Sequence, residues 1–129
     1  MRKQTLLALF AILIAIPLAI AATEAAFKRT VLQKIEFPGD VYATVLVQVD
    51  VNPDGLIARH THPGIEMTYV VKGEGDLLVE GQPSRHLKAG DSFKIPPGVP
   101  HSLQNGPEPL VLAANFVVEK DKPLSSPAP

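Results

Sequence analysis

The chain has 129 residues, 46% of them apolar and 19% charged, with a formal net charge of −1 and no cysteine. That length supports one domain and is too short for a two-domain enzyme. The weakly acidic balance lacks the basic footprint of a nucleic-acid binder, and the missing cysteines exclude disulfide staples, thiolate metal sites and a cysteine nucleophile.

The N-terminus reads as a targeting segment. Arg2 and Lys3 form a short positive region, and the run from Leu6 to Ala22 is interrupted only by Pro17. Ala19 and Ala21 have the A-x-A spacing that suits a signal peptidase, so residues 1–21 are expected to be a signal peptide. An uncleaved anchor is the competing reading, although the run falls slightly short of the roughly 20 apolar residues of a stable membrane helix and carries a proline. The expected location is secreted or periplasmic, with no membrane association after cleavage.

The body reads as strands and turns. A first strand is expected within Lys28 to Phe37. From Val41 to Val51, valines and Ala43 occupy one parity while Tyr42, Thr44, Leu46, Gln48 and Asp50 take the other, which is the period of a strand. Asn52-Pro53-Asp54-Gly55 is a turn in which proline presets the backbone and glycine accepts positive φ. Strands are expected at 56–61, 67–72, 76–80, 85–88, 92–95, 101–104 and 110–118. Turns at Pro63-Gly64, Gly73-Glu74-Gly75 and Gly81-Gln82-Pro83 separate the first of these. No window after residue 26 shows a 3.6-residue period, and 13 prolines and 9 glycines, mostly between strands, disfavour helices. Many short strands with regular turn signals predict an all-β sandwich or small barrel over residues 27–119. The proline-rich residues 120–129 are expected to form a flexible tail.

His60-Thr61-His62 is the first group with metal-ligand spacing. Residues i and i+2 of a strand face one side, so both imidazoles can enter one interior. Glu66 follows the Pro63-Gly64 turn and can return a carboxylate to the same point. His101 is presented by the rigid loop Ile95-Pro96-Pro97-Gly98-Val99-Pro100. Three imidazoles and a carboxylate suit divalent Mn, Fe, Ni, Cu, Co or Zn. An isolated histidine pair of this kind is more often structural; the surrounding spacing changes that reading. Gly55, His60, His62, Glu66 and Gly73 are followed, after sixteen intervening residues, by Gly90, Pro96, Gly98, His101 and Asn105.

This constellation resembles the two-part motif of the cupin superfamily. The second half matches at every position, and in the first half Gly55 stands one residue closer to His60 than the family spacing. The motifs span residues 55–105, and the strand pattern extends the likeness over most of the remaining body. The resemblance implies a single-domain antiparallel jelly-roll β-barrel with His60, His62, Glu66 and His101 holding one divalent transition metal, two of whose positions stay open. It also implies a homodimer extended through the strand near Val31 to Phe37. A closed tetrahedral zinc site is the competing, structural outcome.

Fold alone leaves the reaction open. An open-position metal supports dioxygenase, isomerase or lyase chemistry on a small molecule, with Glu66 as the catalytic group that leaves the metal transiently to act as a base. The alternative is a non-catalytic periplasmic module that binds metal or a small ligand. Among the other residues, Asn105 reads as a turn cap, His86 as a solvated strand position, Arg59 as facing away from the cavity, and Thr68 and Val70 as sharing the face of Glu66.

Overall fold

Alternation decides the central strands. The computed structural model describes residues 25–129, so the expected signal peptide, residues 1–21, lies outside the described residues. Strand β1 covers Phe27–Ile35 and β2 covers Tyr42–Val51. Along β2, Ala43, Val45, Val47, Val49 and Val51 are buried, while the residues between them are only partly covered. Strand β9, Leu110–Glu119, repeats the pattern with Leu110, Leu112, Ala114, Phe116 and Val118. The two pair in continuous antiparallel register from Tyr42↔Glu119 to Val51↔Leu110, which brings their apolar sides onto one face.

The remaining strands are β3 (Leu56–Thr61), β4 (Gly64–Lys72), β5 (Glu74–Val79), β6 (Arg85–Lys88), β7 (Ser92–Ile95), β8 (His101–Asn105) and β10 (Ser126–Pro127). They complete two five-stranded antiparallel sheets, ordered β1-β2-β9-β4-β7 and β10-β3-β8-β5-β6. The core lies between them. The first sheet contributes the inward residues of β2 and β9 with Val70 and Ile95, and the second contributes Ile57, Leu77, Val79, Leu87 and Leu103. Such a double antiparallel sheet is the jelly-roll arrangement expected from the sequence.

Several boundaries differ from the sequence reading, each for a packing reason. Strand β4 opens at Gly64, not Met67, because Gly64 pairs directly with Val118 of β9. A Cβ there would overlap the Val117 carbonyl oxygen and lie 2.6 Å from the Val118 Cα. In the turn after β2, the positive φ of 58° belongs to Asp54, not to Gly55. Gly55 is needed for space, since a Cβ would meet the Asn52 carbonyl oxygen at 2.8 Å and overlap that of Ala26. The segment expected as a flexible tail carries β10, which pairs with β3 through Ser126↔Thr61 and Pro127↔His60, while Leu124 packs against the core.

Asn105 performs the capping expected of it. Its Nδ2 group donates to the carbonyls of Asn52 and Glu108, both at 2.8 Å, and its Oδ1 accepts from the Gly106 amide. These bonds satisfy buried backbone groups where β8 ends.

Candidate metal centre

His60 and His101 are direct partners across β3 and β8, and β3 carries the chain on to His62. In regular alternation from the buried Ile57, Arg59 would turn inward and His60 outward. A register irregularity between Ile57 and His60 reverses this, so His60 is buried and Arg59 reaches the surface, paired with Glu80. Glu66 comes from the opposite sheet, on β4 between Phe116 and Ile95. The four side chains therefore meet between the sheets, and all are buried.

Each imidazole is oriented by a main-chain carbonyl. The Nδ1 of His60 bonds to the Ala58 oxygen at 2.8 Å, that of His101 to the Val99 oxygen at 2.9 Å, and that of His62 to the Leu124 oxygen at 2.7 Å. A carbonyl can only accept, so each ring carries a proton on Nδ1 and turns its Nε2 toward the cluster. The Nε2 atoms of His60 and His62 are 3.2 Å apart, and those of His62 and His101 lie 3.1 and 3.2 Å from Glu66 Oε2.

Glu66 lies against two of these rings. Thr68, two residues along the same strand face, donates its hydroxyl to Glu66 Oε1 at 2.6 Å. Oε2 is the buried side-chain atom without a hydrogen-bond donor among the described residues. Burial pushes the Glu66 carboxyl up, but the His101 and His62 imidazoles and the Thr68 hydroxyl outweigh it and hold the group below the usual carboxylate range. Burial lowers His60 to about 4, against the upward pull of the Ala58 carbonyl, so this ring stays neutral well into acid. Two imidazole nitrogens within 3.2 Å of a carboxylate oxygen in an apolar interior form an arrangement that a bound cation would satisfy. The three histidines, whose ligating atoms lie within 4.8 Å of one another, could hold a metal ion. The donor set, mixed nitrogen and oxygen with one orphaned carboxylate oxygen, fits a divalent transition metal.

The cavity at these residues has a volume of about 30 Å³ and is otherwise walled by apolar side chains, except for Arg29. A larger groove of about 770 Å³ lies beside it between β7 and β5; Leu77 and Phe93 line both spaces, and Thr68 lines the groove. Sequence reasoning missed two participants. Arg29 had a signal: it shares parity with Phe27 and Val31, a charge on an apolar face. The Leu124 carbonyl had none, because a backbone acceptor brought in from a distant segment leaves no trace in residue type.

Residues 47–118, more than half of the chain, match the model of the cupin domain. The chain belongs to the cupin family. This cupin is 36% identical over 76 residues to the dimethylsulfoniopropionate lyase DddQ of Ruegeria pomeroyi, an alignment covering 58% of this chain and 36% of that protein. The crystal structure of DddQ superposes with a TM-score of 0.64 at 25% identity, covering 80% of this chain and 52% of the lyase. An uncharacterised double-stranded β-helix protein from Klebsiella pneumoniae gives 0.65 at 27% identity, covering 84% and 89%. A recombinant oxalate oxidase in complex with glycolate gives 0.63 at 25% identity, covering 82% and 57%. The cupin spans less than half the length of the curated relatives it matches.

Proposed function

We propose that this cupin is a metal-dependent enzyme acting on a small molecule, by chemistry of dioxygenase, isomerase or lyase type. The observation that carries the reading is the convergence of three buried, carbonyl-oriented imidazoles, with the Nε2 atoms of His62 and His101 within 3.2 Å of Glu66 Oε2 and that of His60 3.2 Å from His62 Nε2. His60, His62 and His101 would hold the ion, with Glu66 as the fourth ligand. A divalent metal bound there would supply Lewis acidity, or electron exchange if it is redox-active. The likeness to a lyase and to an oxalate oxidase supports enzymatic use of such a site.

In this reading the chain's own groups divide the work. Thr68 holds Glu66 Oε1, which leaves Oε2 as the atom able to accept a proton and act as the base. The three carbonyls fix the imidazoles so that no rotation is needed on binding. The apolar walls exclude water and strengthen each electrostatic contact.

One observation favours the second reading, a non-catalytic binder of metal or a small ligand. The cavity among the donors has room for about two water-sized groups, and Phe93 and Leu77 stand between it and the larger groove, lining both. Elemental analysis of the purified protein, followed by oxygen uptake and turnover over a panel of small acids, diols and sugar acids, separates the two. Turnover that disappears in His101→Ala together with the metal supports the enzyme. Metal without turnover on any of these supports the binder, and full metal content in His101→Ala overturns both.

We also propose export, with residues 1–21 as the signal peptide and a secreted or periplasmic location, supported by the apolar run that ends at Ala22. We further propose a homodimer built on edge strand β1, where Val31 and Ile35, and Phe37 just beyond the strand, are each more than half exposed.

A further inference from the structure

Arg29 is the charged side chain that lines the metal cavity without belonging to the histidine–glutamate cluster. It stands on β1 opposite Val49, whose side chain is buried, so register turns the guanidinium inward at the edge of the barrel. The guanidinium lies 4.8 Å from the Phe27 ring centroid, and its one side-chain hydrogen bond goes to the neutral Ser125 hydroxyl at 3.3 Å. No carboxylate among the described residues comes within ion-pair distance of it. A guanidinium carries five N–H donors in a planar fork, and a partly buried cation normally sits beside an anion.

One carboxylate, a divalent ion bound among the histidines and Arg29 would leave the cavity with surplus positive charge. An entering anion would offset it and meet both the fork and the open side of the metal site. We infer that Arg29 is an anion-anchoring residue and that the cavity takes the carboxylate head of a small organic acid. This inference rests on the metal-site reading above. Cavity volume limits that head to a few heavy atoms. The planar fork matches a carboxylate in bidentate fashion, which a spherical or tetrahedral anion does not exploit as well.

The test uses zinc as a redox-silent probe metal on the full chain, with calorimetric titration of zinc first and then of formate, acetate and the neutral isostere acetamide. The zinc-loaded protein is expected to bind formate and acetate but not acetamide. Arg29→Gln should weaken acetate binding by about 10-fold or more, while zinc affinity holds or rises because a neighbouring positive charge is gone. Arg29→Lys keeps the charge without the fork and should fall between the two. A purely structural arginine would lower zinc and acetate binding together. Acetamide binding as well as acetate in the unaltered protein, or equal acetate affinity in Arg29→Gln with zinc intact, overturns the inference and leaves the metal site standing. Failure of the unaltered protein to bind zinc overturns the site and the inference with it.

Discussion

The Nδ1 of His62 donates a hydrogen bond to the Leu124 carbonyl oxygen 2.7 Å away, joining residues 62 positions apart in the chain. The other two imidazoles of the site are oriented by carbonyls two residues away in sequence. The centre is thus partly assembled by the C-terminal segment, which is anchored through β10 and by the Leu124 side chain.

Removing residues 124–129 should therefore release the His62 ring while leaving His60 and His101 oriented. The loss of an orienting partner of a histidine ligand typically costs about 10- to 100-fold in metal affinity. Zinc titration of the shortened chain checks this, with circular dichroism to verify that the sheets persist. A folded, shortened chain with unchanged zinc affinity would show that the Leu124 carbonyl is dispensable.

Glu66→Gln should lower metal-free stability and metal affinity together. The His101 and His62 imidazoles and the Thr68 hydroxyl hold the Glu66 carboxyl below its ordinary range, and a carboxylate whose folded pKa is depressed contributes stability that is present above the unfolded value and lost as pH falls through the folded one. The expected loss is about 1–3 kcal/mol in urea unfolding of the chelated protein at about pH 7. Added zinc should also stabilise the variant far less than the original. A chelated variant as stable as the original chain would contradict the interactions assigned to this carboxylate.

The pH dependence expected at His86 is set by its neighbours on β5. Its Nδ1 lies 2.8 Å from Asp76 and its Nε2 3.5 Å from Glu74, and these carboxylates raise its pKa above the ordinary value. A histidine whose folded pKa is raised contributes stability that is fully present below the unfolded value of about 6.5 and is lost as pH rises through the folded value. The stability difference between the original chain and His86→Gln should therefore be largest near pH 5.5 and vanish by pH 9, measured by urea unfolding across that range. A difference that grows with pH would reverse the assigned sign. Because His86 is exposed, the effect is small and salt-sensitive.

Gly64→Ala should destabilise the fold by about 1–3 kcal/mol, the usual scale of overpacking. The added methyl group meets β9 backbone rather than a side chain that can turn away. Glu66 lies two residues further along β4, so zinc affinity should fall as well. Thermal unfolding with and without zinc reads both effects, and an unchanged melting temperature would mean that β4 and β9 can separate at no cost.

The valine alternation of 41–51 and the glycine and proline punctuation made the all-β class and most strand positions legible, because burial of one strand face writes itself into residue type at period two. The grouping of His60, His62, Glu66 and His101 was legible in their types and spacing. So was the shared inward side of His60 and His62; the irregularity that delivers it was not. Parity counted from Ile57 sends His60 outward, and a single irregularity in the pairing of β3 with β8 turns it in. Such a shift depends on the partner strand, which no local pattern records.

What the sequence by itself determined is the inventory: which groups can bind a metal, which stretches are extended, and which residues form turns. Tertiary structure alone decided three things. It faced Glu66 on one sheet toward histidines on the other, supplied the Leu124 carbonyl to His62, and turned Arg29 into the same cavity. Residue type and spacing act within a few positions along the chain. Charge, hydrogen bonding and exclusion act through space, between segments that only the closed pair of sheets brings within reach.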